Sequence, residues 1–150
     1  MAGIKVPPHN EEAEQSVLGA ILIDKDAISI VSEIIKPSDF YSDINGIIYN
    51  SMLSLYEARK PIDILTLTTQ LKKNKISDKI DFSYLTSLLE TVPTAANVEQ
   101  YAQIIKENST KRSMIAAGGQ ITEMGFMEDK EADELLDKAE SFIFSISQGH

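Results

Sequence analysis

The sequence predicts an all-α fold: a compact multi-helix head followed by a protruding antiparallel helical hairpin. Three observations carry that expectation. Apolar residues recur three and four positions apart along almost the whole chain, the spacing of one helix face rather than of a strand. Pro7-Pro8, Pro37, Pro61 and Pro93 fall between such stretches instead of inside them. From Asn97 to Phe126 no proline interrupts a periodic run, which is room for one helix of roughly 45 Å at 1.5 Å per residue.

Taken in order, Pro7-Pro8 stops any earlier helix and Asn10 offers a cap. Glu11, Glu12 and Glu14 then sit where a helix N-terminus favours negative charge. Val17, Leu18, Ile21 and Leu22 are the apolar stripe of this first helix. Asp24 and Asp26 open a second, with Ala27, Ile30, Val31, Ile34 and Ile35 facing inward and Pro37 as its stop. Ser42 or Asp43 starts a third, whose inward side is Ile44, Ile47, Ile48, Met52, Leu55 and Tyr56.

After Pro61-Ile62-Asp63 comes the one stretch whose propensities favour strand, Ile64-Leu65-Thr66-Leu67-Thr68-Thr69. The cap at Asp63 and the spacing of Ile64, Leu67 and Leu71 predict a helix there instead. Asp81 precedes a short helix carrying Phe82, Leu85, Leu88 and Leu89. Pro93-Thr94 begins the long element, which continues through Val98, Tyr101, Ile105, Ile115, Ile121 and Met124. Gly118-Gly119 lies inside it, and each glycine weakens a helix by about 1 kcal/mol relative to alanine. The pair marks either a kink or a place where another helix comes close.

Glu128-Asp129 starts the last helix. Ala132, Leu135, Leu136, Ala139, Phe142, Ile143 and Ile146 form its apolar side, and Glu131, Asp133, Glu134, Asp137 and Glu140 its acidic one. The head is expected over residues 1–103, with a tail to about residue 8. The hairpin, continuous with it, is expected over 104–147, and residues 148–150 read as a tail or cloning stub.

At 150 residues, 43% hydrophobic and 25% charged, the chain can bury a core without disulfides or metals. It has no cysteine, which excludes a disulfide scaffold, a cysteine zinc site and a thiol nucleophile. The longest apolar run, Ala20-Ile21-Leu22-Ile23, is far too short for a membrane span, and no signal peptide is recognisable, so the cytoplasm is the expected location. None of the seven glycines is followed by lysine, so the Gly-Lys-Ser/Thr loop that cradles nucleotide phosphates is absent. His9 and His150 lie at opposite ends; zinc ligands do not converge, and a serine nucleophile lacks an interior base. His9 is expected to be a solvated terminal residue. The carboxylate pairs Glu11/Glu14, Asp24/Asp26 and Asp133/Asp137 sit at helix starts or on outer faces, where capping and solubility explain them. We expect no catalytic, cofactor-binding or metal-binding residue in this chain.

The net charge of −9 and pI near 4.7 favour proteins over DNA as direct partners, because phosphate binding depends on lysine and arginine. The one basic patch is Lys72, Lys73, Lys75 and Lys79. A solvated helix end explains it, and a helical nucleic-acid-binding module is the alternative it leaves open. The hairpin carries the stronger signal. Phe126, Phe142 and Phe144 supply more aromatic surface than a lone two-helix arm easily buries, which marks an interface. Its expected residues are Met114, Ile115, Gly118, Ile121 and Met124 on one helix and Leu135, Leu136, Ala139, Phe142, Ile143 and Ile146 on the other.

The string Pro7-Pro8-His9-Asn10-Glu11-Glu12-Ala13-Glu14-Gln15-Ser16-Val17-Leu18-Gly19-Ala20 resembles the opening of DnaB-type replicative helicases. Asp39-Phe40-Tyr41, Pro61-Ile62-Asp63 with Leu65-Thr66-Leu67, and Tyr84-Leu85 follow in the family's order. So do Ala96-Asn97-Val98 with Tyr101-Ala102, and Leu135-Leu136-Asp137-Lys138-Ala139-Glu140. The ordered series covers nearly the whole chain and is highly specific.

The resemblance implies a helical head and hairpin of the kind that precede an ATPase motor. In that family hairpins pair N-terminal domains into dimers, and three dimers form a collar on a hexameric ring. The collar docks primase and also meets loader proteins. ATP and magnesium belong to the C-terminal motor domain, so this chain is expected to be a fragment of the family pattern, with weak or no DNA binding of its own. Two departures stand out. Where the family often has histidine after Phe-Tyr, this chain has Asn45, to which no role is assigned; and Gly118-Gly119 stands where alanines and bulkier residues are common.

Overall fold

Capping chemistry sets the starts of three helices in a computed structural model that describes residues 5–75, 78, 80–91 and 97–149. Asn10 accepts the Ala13 N–H at 2.9 Å and begins α1 (Glu11–Ile23). Ser42 likewise accepts the Asn45 N–H and begins α3 (Asp43–Glu57). Before α4 (Ile64–Lys73), Thr66 N–H donates to Asp63 Oδ1 at 2.8 Å while Asp63 N–H donates to Thr66 Oγ1 at 3.0 Å. That reciprocal cap, with Leu67 and Leu71 buried, overrides the strand propensity of the β-branched run. Thr68 and Thr69 turn their hydroxyls back onto the Ile64 and Leu65 carbonyls one turn earlier.

The second helix differs from expectation. α2 (Ala27–Ser32) ends well short of Pro37 and buries Ala27, Ile28 and Val31, leaving Ile30 exposed. The cause is local. Lys36 precedes proline and is extended, with φ −110° and ψ 162°, so the chain unwinds before a 3-10 turn at Pro37–Asp39. Ile35 still reaches the core, from outside the helix.

α5 (Phe82–Thr91) turns Leu85 and Leu88 inward but leaves Phe82 and Leu89 exposed. The long element is α6 (Val98–Gly125), unbroken through Gly118-Gly119; the expected start at Pro93-Thr94 lies outside the described residues. α7 (Ala132–Gly149) begins later than the expected Glu128-Asp129. Phe126 and Met127 first donate their N–H groups to the Glu123 and Met124 carbonyls, closing α6, and the chain bends through 128–130 before helix resumes.

The chain divides into two units. The first, His9–Lys106, holds a continuous core in which α1 packs on α5 and α3 packs on α4 and the 3-10 turn. Leu18, Ile21, Tyr49, Met52, Leu67 and Leu88 are fully buried there. Each such side chain contributes roughly 1.5–3 kcal/mol over an exposed one. Tyr49 donates its hydroxyl to the Ile35 carbonyl at 3.1 Å; burial pushes its phenol well above the ordinary range, and the nearby Asp39 carboxylate adds to that, so it stays a donor. The second unit is Glu107–His150 together with the leading residues through Pro8, whose carbonyl accepts from Arg112 at 2.8 Å. Among the described residues, no helix is long and apolar enough to cross a membrane.

Candidate functional site

Apolar periodicity tells which side of a helix avoids water; it does not tell whether this chain supplies the cover. In the second unit it supplies little. No residue of α7 is buried, and in this unit α6 buries only Ala117 and Met124. An open apolar groove of about 580 Å³ runs between the two helices. α6 lines it with Met114, Ala117, Gly118 and Ile121, and α7 with Ile143 and Ile146. Glu107, Thr110 and Lys111 stand at one part of its rim, with Glu107 and Lys111 an exposed pair 4.0 Å apart, and Ser147 completes the lining.

Of the expected interface residues, the groove brings together Met114, Gly118, Ile121, Ile143 and Ile146. Met114 is 60% exposed and Ile143 57%. Leu135, Ala139 and Phe142 are half-buried on α7 and Met124 is buried on α6, and none of the four lines the groove. Leu136 is exposed one turn from Ala139, while Ile115 is exposed but lines no part of the groove. Ala117, Thr110 and Ser147 were not legible as lining, since small or polar residues give no apolar signal. Phe126 and Phe144 are exposed, and only Phe142 of the three phenylalanines is partly covered.

Gly118 and Gly119 have nothing within 4 Å of an added Cβ. Among the described residues nothing approaches within that distance. The space at Gly118 is the floor of the groove, open to whatever enters it.

In the head, Glu14 lies in the first turn of α1 as expected, but it is not the solvated carboxylate that solubility would explain. It is 2% exposed and its carboxylate accepts from Tyr41 N–H at 2.7 Å, Ser42 N–H at 3.3 Å and Asn45 Nδ2 at 3.0 Å. Asn45, given no role by the sequence, is fully buried and accepts from the Tyr84 hydroxyl. Glu14 and Asn45 therefore link α1, α3 and α5. Each polar group has a partner, so the cluster is structural and not a vacant site. His9 is not a solvated end either; it stacks on Tyr41 with ring centroids 4.0 Å apart. Asp39 caps its own turn through Lys36 N–H and pairs with Lys106 at 3.9 Å. Lys72 and Lys73 end α4, where a helix C-terminus favours cations, and Lys75 follows; Lys79 lies outside the described residues.

This architecture has known counterparts. The family model described as "DnaB-like helicase N terminal domain" matches residues 6–107. The chain belongs to that family. It is 39% identical over 145 residues to a replicative DNA helicase of Bacillus subtilis (strain 168), and 40% identical over 145 residues to one of Geobacillus stearothermophilus. Either alignment covers 96% of this chain but 32% of the relative, so the chain spans about a third of their length. Among solved structures, it is similar to the N-terminal domain of DnaB helicase from Mycobacterium tuberculosis, with a TM-score of 0.89 and 36% identity over 93% of this chain and 99% of that one. It is also similar to the N-terminal domain of DnaB helicase from Helicobacter pylori, described with its interactions with primase. That match has a TM-score of 0.69 and 28% identity, over 77% of this chain and 91% of the other. The DnaB-like match accounts for the head directly, and the Mycobacterium match extends the likeness through nearly the whole chain.

Proposed function

We propose that this chain is the non-catalytic collar domain of a hexameric replicative DNA helicase, acting in the cytoplasm. Its hairpin pairs copies into dimers that assemble a ring, and the collar so formed docks primase and a helicase loader. ATP and magnesium are used by a separate motor domain, not by this segment. The observation that carries the reading is the open groove between α6 and α7, which exposes Met114 and Ile143 to solvent around an empty floor at Gly118. Apolar surface left uncovered this way gains roughly 25 cal/mol for each Å² that a second hairpin covers, offset in part by lost freedom on association.

Sedimentation of the chain over a range of concentrations tests it. A concentration-dependent dimer is the expected result. Ile143→Asp weakens that dimer roughly a hundredfold, because a carboxylate then has to be desolvated in the contact. The melting temperature stays near that of the wild type, since Ile143 is exposed in the single chain. Phe142→Asp is a less clean test, because Phe142 is half-buried within the hairpin. A strictly monomeric wild type at high concentration overturns the reading. Titration with primase's helicase-binding domain tests the docking role: saturable binding is expected, and none overturns that part.

A further inference from the structure

On the head, an apolar groove lies open where the chain's basic stretch begins. It measures about 480 Å³ between α4 and α5 and is lined by Thr68, Leu71, Lys72, Ile80, Phe82 and Leu85. Leu71, Ile80 and Leu85 are buried, whereas Phe82 stands 58% exposed among them. Thr68 donates its hydroxyl to the Ile64 carbonyl, so the Lys72 ammonium is the donor the lining still offers. Leu65, 76% exposed, shares the α4 face of Thr68 and Lys72. Residues 72–81 carry four lysines against Asp78 and Asp81, in a chain of net charge −9. Lys73 and Lys75 follow Lys72, and all three are exposed. Among the described residues, none of these three lysines forms a salt bridge. The end of α4 accounts for Lys72 and Lys73 as helix-terminal cations, but not for Phe82 left open in the same groove.

We propose that the α4–α5 groove receives a short acidic segment of another protein. One aromatic or large aliphatic side chain of that segment sits against Leu71, Ile80, Phe82 and Leu85, and its carboxylates meet Lys72, Lys73 and Lys75. A local reversal of sign selects this occupant. Salt screens charges beyond about 8 Å at physiological ionic strength, so a short segment feels these lysines more than the chain's total charge. The acidic remainder of the surface repels the same segment, which confines it to this stretch. Among the lining residues only Lys72 can pair with a phosphate, so a nucleic-acid backbone would leave the apolar floor uncovered. The site shares no lining residue with the α6–α7 groove, and it stands whether or not hairpins pair.

The test is selection from a random library of short displayed peptides against the full chain. Enrichment of sequences that set several aspartates or glutamates around an aromatic or large aliphatic residue is expected. Fluorescence anisotropy then reads the binding of one such peptide, synthesised and labelled, which should weaken with added salt. Lys72→Glu with Lys73→Glu, and separately Phe82→Ala, should each weaken it roughly tenfold. Lys72→Arg with Lys73→Arg keeps the charge and should bind within roughly threefold of the parent. All three positions are exposed, and circular dichroism checks that each variant keeps its fold. A library with no such enrichment overturns the proposal, as do acidic peptides that bind the charge-reversed chain as well as the parent. Tight, salt-steep binding of an oligothymidylate, abolished by Lys72→Glu with Lys73→Glu, overturns it in favour of a nucleic-acid site.

Discussion

The head and the hairpin use the same helical periodicity to opposite ends. In His9–Lys106 the apolar stripes meet one another, and a polar cluster at Glu14 and Asn45 is buried along with them. In the hairpin α7 carries a stripe as regular, yet it buries no residue. The head thus covers most of its own apolar stripes, whereas the hairpin leaves much of its apolar surface open to solvent. Stability should be concentrated in one region and association in the other.

The largest effect that can break this comparison is a cavity in the head. Leu18→Ala removes a fully buried side chain of α1 and should cost about 2–5 kcal/mol of unfolding free energy in urea titrations. Ile143→Ala, on the groove side of α7, should cost the single chain less than about 1 kcal/mol. Equal losses at the two positions would mean that the hairpin is buried after all. Next in size comes Glu14→Gln. The amide places a donor among the N–H groups of Tyr41, Ser42 and Asn45, so about 1–3 kcal/mol should be lost without any change in self-association.

Much of this division could be read before any coordinates. Asn10, Ser42 and Asp63 announce helix starts because a short polar side chain before an apolar stripe has one good use, and all three make that bond. α2 was less legible. Periodicity continues to Ile35, but the geometry required before Pro37 ends the helix at Ser32 and exchanges Ile30 for Ile28 inside. Glu14 was only half legible, as a first-turn charge, because its two roles look alike in sequence. A carboxylate in a first turn suits the helix dipole whether or not a distant N–H reaches it, and its partners lie 27 to 31 residues away. The groove was legible only as an apolar side. Which residues end half-buried, as Phe142 does, and which stay open, as Ile143 does, depends on how helices are set against each other.

The smallest effect separates two neighbours. Gly118 and Gly119 both sit in continuous helix with open space beyond an added Cβ, so alanine at either should stabilise the single chain by about 0.5–1 kcal/mol through helix propensity alone. Only Gly118 lines the groove. If a second hairpin enters there, its closest approach is set by the missing side chain, and Gly118→Ala should weaken the dimer while Gly119→Ala leaves it unchanged. Paired melting and sedimentation measurements on the two variants distinguish a glycine kept for contact from one that merely weakens a helix. Identical behaviour of both variants in association would remove Gly118 from the interface and leave the groove's walls, Met114, Ile121 and Ile143, to carry it.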